Sequence, residues 1–573
     1  MSKTRFSSPR TRWVLLVGGA LLALIITPQL WVRHRLSTSY VESIISDALT
    51  PASEGLYRVS LEDLEVRMLQ GNLRLRDLRL HLRPKAVDSL DALGLLPAVR
   101  FEGVMPEVVI EGVRLIRLVR NGDLEADRLI IPDPRLTIRI TPRPDLGLDE
   151  DAVPPGTGRE DSTPPRRRRT IVLPQGTPRI RLGSVRITRV DANLVVEGDT
   201  GRITTIVSTA VEALNVTLER LVLDPAEPIM ADRVLFSDDT RVTFEHSDLK
   251  LTTGAKVSIG PFATSSREGV LTIGRVTLDP GETESAYLAQ PRASADLIAV
   301  RTGQVRLEGI DYSGLVDAFE GRIRRGSIDS LSVEITADKQ KIKAPRTHPG
   351  FMPHTLFRDL LLRVTVDSFL VTNGMLRYRE RGVASPRLGE ITFDPLSATL
   401  TNVTNARTRM TSRTPAIIEA RTRLFGVAPV RATIRMPLLA RGPTMDLVAQ
   451  VGGFDARVVN RMVRSQEGME ITSGEIESAR INVRYRPGRA TGEVEVIYRD
   501  LGVRLEDRRS REQNLGKWLM SIAANTMLRK SNDPKPGQTS RVGTVDEALP
   551  AGAPIFEVLW LGVRSGLLQL IKH

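Results

Sequence analysis

The 573-residue chain has no cysteine, which excludes a disulfide framework, thiolate metal ligands and a cysteine nucleophile. Such a chain suits an oxidising compartment without requiring one. Aromatic residues are scarce, at 4%, so the apolar content rests on Leu, Val and Ile, which suit many thin strands better than one jigsaw core. Histidine is almost missing too. His34, His81, His246, His348, His354 and His573 show no H-E-x-x-H or other ligand spacing, and His348 and His354 fall in a Pro-rich segment that reads as loop. Neither a G-x-S-x-G elbow nor a phosphate-cradling G-x-x-x-x-G-K-[ST] occurs. Acidic residues alternate with apolar ones, as solvent-facing strand positions do. The sequence therefore reads as a protein without a catalytic step, a metal or a cofactor, with a hydrolase of unrecognised site as a third reading.

What is present is ordinary for a folded protein: 41% hydrophobic and 26% charged residues. The length would allow three or four domains of roughly 150 residues, although the repetitive pattern described next is less divided than that. There are 81 Lys and Arg against 68 Asp and Glu, a net charge of +13, which favours anionic partners, either nucleic-acid phosphates or lipid headgroups.

The one long apolar run lies at the start. Residues Trp13 to Val32 carry no charge, follow Lys3, Arg5, Arg10 and Arg12, and precede Arg33 and Arg35. As a helix this run reaches about 30 Å, enough for the hydrocarbon core. Trp13 and Trp31 stand at its edges, where indoles favour the interface, and Leu16, Leu21, Leu24 and Ile25 fill its middle. A cleaved signal peptide and a buried helix are the alternatives; no small-x-small site follows cleanly, so an uncleaved anchor in residues 1–36 is expected. The basic bias places the N-terminus in the cytoplasm and the rest of the chain outside it. That argues against nucleic acid as the partner.

Residues 37–140 read as a short amphipathic helix over 40–50, stopped by Pro51, followed by strands. Period-two alternation recurs through 180–508: Leu331, Val333, Ile335; Val364, Val366; Ile391, Phe393; Ile434; Leu447; Ile481, Val483; Val494, Val496. Asn121-Gly122, Asn373-Gly374, Glu197-Gly198-Asp199 and Ser473-Gly474 read as turns between strands. With no long helices between the runs, antiparallel neighbours are expected. Residues 141–179, rich in Pro, Gly and charge, read as a disordered inserted loop; its Arg166 to Arg169 read as a solvated run, with headgroup contact as the alternative. Residues 509–573 read as two helices and a linker. The second carries Phe556, Leu559, Trp560, Val563, Leu567 and Ile571 with Glu557, Arg564 and Gln569 between them, an amphipathic helix that either lies on a membrane or docks on the protein's own sheet.

The segment "GNLRLRDLRLHLRP" (71–84) shows the pattern at its sharpest. Leu73 and Leu75 are in one phase, Leu78 and Leu80 in the other, and the change falls at Asp77. Since side chains alternate faces, a bulge or tight break there is needed to keep the leucines together. A second slip separates Leu61 from Leu64. The resulting face, apolar on one side and arginine-rich on the other, must be covered by a sheet, a helix or something that is not protein.

Following an N-terminal anchor, "GLYRVSLEDLEVRMLQGNLRLRDLRLHLRP" resembles the start of AsmA-like proteins, a bacterial envelope family related to TamB and more distantly to chorein-type bridge-like lipid-transfer proteins. "VDSFLVTNGMLRYRER", "LGEITFDPLSATLTNVTN" and "ITSGEIESARINVRYRPGRATGEVEVIYRDLGVRL" are similar in pattern. The resemblance implies an elongated, twisted, half-open antiparallel β-sheet with a lipid-lined groove. The protein would be held in the inner membrane, with its bulk in the periplasm and the outer membrane or its proteins as further partners. It also implies phospholipid transport without an enzymatic step. The sixteen strand residues just named from Leu73 to Val494, together with Val496, are then the groove candidates. About 25 strands at ~4.8 Å would extend on the order of 120 Å. A dry, closed envelope scaffold is the competing reading.

Overall fold

The structure is a computed structural model. It describes residues 37–571 with breaks, the longest at 141–178, 197–205, 344–362 and 506–528. The expected anchor, the expected loop but for its last residue Arg179, the Glu197-Gly198-Asp199 turn and the helix after Ser510 therefore lie outside the described residues. Among the described residues no helix is long and apolar enough to cross a membrane.

The described chain is mainly β, with 27 strands and six α-helices. The helices are Thr38–Ala52 (α1), Pro84–Ala92 (α2), Leu115–Asn121 (α3), Glu284–Ala289 (α4), Asn460–Glu467 (α5) and Ile555–Ile571 (α6). α1 includes Pro51 instead of stopping before it. The chain divides into two compact units. The first holds residues 1–197, 208–245 and 264–267, and the second holds 198–207, 246–263 and 268–573.

Each unit is built on a mixed sheet, which corrects the expectation of purely antiparallel neighbours. In the first unit, Leu124–Pro132 and Arg135–Ile140 pair in parallel with one long strand, Ile180–Val196. In the second, Glu320–Asp329 and Ser332–Asp338 pair in parallel with Arg363–Arg381. A parallel pair needs a crossover of a dozen or more residues. Residues 141–179 and 339–362 supply that length, so the insertion seen in the sequence is the connection that the parallel register demands.

The phase slips are creases that cross several strands at one level. In the first unit, Asp77 adopts φ +49° and lies opposite Pro106, while Asp133 and Arg189 adopt φ +50° and +52°. Around Asp77 the register does not shift: Arg76 pairs with Glu107 and Leu78 with Met105, and likewise Ser60 pairs with Arg79 and Asp63 with Arg76; at Arg189 it does shift, between Ile187 and Ala192, against Ile206–Leu223. No extra residue is inserted at Asp77, so the break there is a left-handed kink and not a bulge. Asp133 and Arg189 take the same left-handed conformation at this level, and the apolar phase of their strands switches there too. Asp and Asn tolerate this conformation better than other side chains with a Cβ. Pro106 fits because a strand interior normally rejects proline, and here the ladder is already interrupted.

Side chains tie the crease. Arg189 donates twice to Asp133, at 2.6 and 2.7 Å, and these hydrogen bonds hold the Asp133 carboxyl below the usual carboxylate range. In the second unit a similar line runs through Gly303, Ser330 (φ +58°) and Asn373 (φ +50°), where the register against Leu388–Thr404 shifts between Val371 and Leu376. There Asp329 accepts from Asn373 Nδ2 at 2.8 Å and Thr372 Oγ1 at 3.1 Å. Asn373-Gly374 and Ser473-Gly474 thus sit inside the strands Arg363–Arg381 and Met469–Arg486, correcting their reading as turns between strands. Asn121-Gly122 ends α3, with Gly122 as its left-handed C-cap.

Candidate functional site: an apolar strip in the second unit

Strand register in the second unit lines up apolar residues across eleven strands. One row runs Leu271, Leu307, Gly326, Phe369, Leu400, Ile418, Ile434, Leu447, Val483, Gly492, Val545, each hydrogen-bonded neighbour facing the next. Two residues along each strand, and so on the same face, a second row runs Ile273, Val305, Ile328, Val371, Ala398, Ala420, Ala432, Ala449, Ile481, Val494, Gly543. The position between them belongs to the other face and is polar: Thr272, Arg306, Ser327, then Thr399, Glu419 and Thr433, with Leu370 and Val448 as apolar exceptions. That face carries ion pairs such as Arg306–Glu308 at 2.7 Å and Arg480–Glu495 at 3.4 Å.

Burial along the strip is graded. At its first strands Leu271, Ile273 and Leu307 are half-buried, as are Phe369, Leu400, Ile418 and Ile434. At its last strands Val483, Val494 and Val545 are fully buried. Among the described residues between 246 and 330, Tyr287 and Val305 are the buried apolar side chains, although the strands Lys256–Ser265, Val270–Asp279 and Leu297–Arg301 are rich in Val, Leu and Ile. The strip is therefore left partly open at one end and closed at the other.

The closure is α6, which settles its two sequence readings toward docking on the protein's own sheet. Ile555, Val558 and Leu570 are buried in the cluster that holds Val483, Tyr485, Val494 and Val545, with Phe556, Leu559, Val563 and Leu567 packed against it. Contact is close because glycines meet there. A Cβ on Gly562 would come within 2.7 Å of the Tyr485 ring, and one on Gly566 within 2.7 Å of Val494. Tyr485 donates its hydroxyl proton to the Leu559 carbonyl at 3.0 Å, and burial raises its pKa well above that of free tyrosine. Trp560 is half-buried, and the side chain of Ile571 lies outside the described residues.

The groove candidates sort into three environments. Leu73 and Leu75 are buried in the first unit with Val108, Ile110, Val185 and Leu218, beneath Val41 of α1 and Leu118 of α3; they are closed core, while Leu78 and Leu80 beyond the crease are half-buried. In the second unit Val366, Leu447, Val483, Val494 and Val496 are buried and Val364, Ile434 and Ile481 pack on them. Ile335 is buried with Tyr378 and Met462, against Val333, Ile391 and Phe556. Leu331 stands at the crease, and Phe393 is half-buried. The half-buried positions Leu271, Leu307 and Ile418, and Phe369 and Leu400, which pack on the same core as Ile434, were missed as candidates. Their alternation was visible, but which alternating residues stay uncovered depends on register and on where α6 ends.

Beside this strip lies a buried charged cluster. Tyr378 donates to Glu380, Lys339 pairs with Glu380 at 2.8 Å, and Arg381 pairs with Asp338. Lys341 sits 3.5 Å over the Tyr287 ring and donates to the Tyr287 carbonyl. Burial raises the Tyr378 pKa, reinforced by the Glu380 charge, and burial lowers that of Lys341 against the opposing pull of Asp338.

No family model matches the chain, and no curated protein matches it.

Proposed function

We propose that the protein is a membrane-anchored, lipid-binding envelope protein of the AsmA-like kind, carrying phospholipid acyl chains on the apolar strip of its second unit. The carrying observation is the pair of in-register apolar rows over eleven strands that remain half-exposed at one end. Each CH₂ moved from water to that surface is worth about 0.8 kcal/mol, so an acyl chain gains substantially by lying along it. A soluble protein exposing such a strip would be a liability. In this reading the residues at positions 13–32 hold the chain in the inner membrane, the remainder is periplasmic, and no covalent step is involved. The second reading, a dry scaffold, draws on the closed cores around Val483 and around Leu73.

The test is native mass spectrometry of the detergent-extracted full chain with lipid extraction. Co-purified phospholipid is expected, and Ile418→Asp, at a half-exposed position, should remove most of it while the protein stays folded by circular dichroism. A lipid-free, folded wild type would favour the dry scaffold.

A further inference from the structure

Charges on the polar faces of the sheet are balanced across strands, and one hairpin departs from that rule. Like charges directly opposite each other on neighbouring strands repel, and elsewhere in the sheet a carboxylate relieves them. Arg486 faces Arg489, but Arg486 pairs with Asp446 at 2.9 Å and Arg489 with Asp546 at 2.6 Å. Arg100 faces Arg139, and Arg139 pairs with Glu102 at 3.2 Å. Lys250 faces Lys256, and Lys256 pairs with Asp248 at 2.6 Å.

Arg421 and Arg431 face each other in the hairpin of Ala416–Leu424 and Ala428–Met436. Both are exposed, and among the described residues neither forms an ion pair or a side-chain hydrogen bond. Their neighbours in the same row are Ser397 and Gln450, uncharged donors, and Arg423 follows two residues after Arg421, on the same face. The exposed charges of this hairpin are Arg421, Arg423, Arg431 and Arg435 against Glu419, which is ion-paired with none of them. Asp446 stands opposite Arg435 but is held by Arg486.

Unpaired guanidinium groups with hydroxyl and amide donors beside them fit phosphate oxygens, which the planar fork engages bidentately. Two observations favour the phosphates of a membrane over a free anion. The arginines stand on an open sheet face, which gives a small anion no enclosure. Beside them Val427, at the hairpin tip, and Val448, two residues before Gln450 on its strand, are 47% and 44% exposed; a headgroup layer accommodates such aliphatic groups, and a free phosphate makes no use of them.

We propose that the face around Arg421 and Arg431 docks on an anionic membrane surface, whose headgroup phosphates supply the counter-charge that the fold omits. This face lies behind the apolar strip, and the proposal does not depend on lipid filling that strip.

The test uses the detergent-extracted full chain in small phosphatidylcholine nanodiscs, sedimented with large vesicles of phosphatidylcholine alone or mixed with phosphatidylglycerol. Wild type should bind the anionic vesicles at least about tenfold more strongly than the neutral ones, and Arg421→Gln with Arg431→Gln should lose at least about tenfold of that binding. Arg306→Gln is the control: its guanidinium is already paired with Glu308 at 2.7 Å, it lies four strand spacings from Arg421, and its loss should change binding less than about twofold. The double variant should unfold in urea at no lower concentration than wild type, because it relieves a repulsion. A clearly lower midpoint would show that the two arginines serve the fold, and would overturn the proposal. So would equal vesicle binding by wild type and the double variant, or binding indifferent to phosphatidylglycerol, the result expected of a solvated face or of a surface for an acidic protein. Inorganic phosphate added at constant ionic strength should leave the vesicles bound; saturable displacement would mark a site for the free anion and overturn the membrane assignment. A protein that carries no co-purified lipid yet docks on anionic vesicles would leave this proposal standing and remove the lipid-strip reading alone.

Discussion

Asp77 carries more of the fold than its short polar side chain suggests. Its left-handed backbone lets Leu73 and Leu75 share a face with Leu78 although their phases differ. Asp77→Gly should therefore be nearly neutral in urea unfolding, whereas Asp77→Val, β-branched at positive φ, should cost about 1–2 kcal/mol. A Val variant as stable as wild type would mean that the kink is incidental. Asp338 tests the charged cluster. Burial alone raises its carboxyl pKa, but hydrogen bonds from the Arg381 guanidinium and, at 3.0 Å, the Gln340 N–H outweigh that and hold it below the usual range. A depressed folded-state pKa contributes stability that is present above the unfolded carboxylate value, about 3.9, and lost as pH falls through the folded value. The wild type should thus lose stability below about pH 4, and Asp338→Asn should flatten that acid limb while lowering stability near pH 7 by about 1–3 kcal/mol. An unchanged acid limb in thermal melts from pH 3 to 7 would argue against the pairing.

Among the elements, strands were far more legible than their connections. The alternation around Val333, Val366, Ile434 and Ile481 marks strands that the structure contains, because a half-buried strand needs little beyond period two. The slip at Asp77 was legible as a break, but its form was not: only the unshifted register opposite Pro106 and the matching left-handed residue at Asp133 distinguish a crease from a bulge. Asn373-Gly374 misled for a physical reason. The positive φ that makes Asn-Gly a hairpin signal serves equally well for a kink in mid-strand. Parallel pairing was invisible, since nothing local in Ile180–Val196 records which strand lies beside it. α6 was legible as amphipathic, while its partner surface depended on glycines at 543, 562 and 566 that let helix and sheet approach closely. Gly566→Leu should therefore overpack the contact with Val494, destabilising the second unit by about 1–3 kcal/mol and raising hydrogen exchange in 555–571. Wild-type exchange there would mean that the close approach is not needed.

For the whole molecule, the central claim concerns one face of one unit: apolar rows that protein covers at Val545 and leaves partly open at Leu307. Neither composition nor any motif states this. It follows from the register of eleven strands, each unremarkable alone, and from the place where the only covering helix of that strip among the described residues comes to an end. The most direct measurement is site-specific photocrosslinking in native membranes, with a benzophenone side chain at Leu307 on the strip and at Arg306, its neighbour on the opposite face. The account predicts phospholipid adducts at 307 and few or none at 306. No lipid at 307, or equal labelling at both positions, would contradict it.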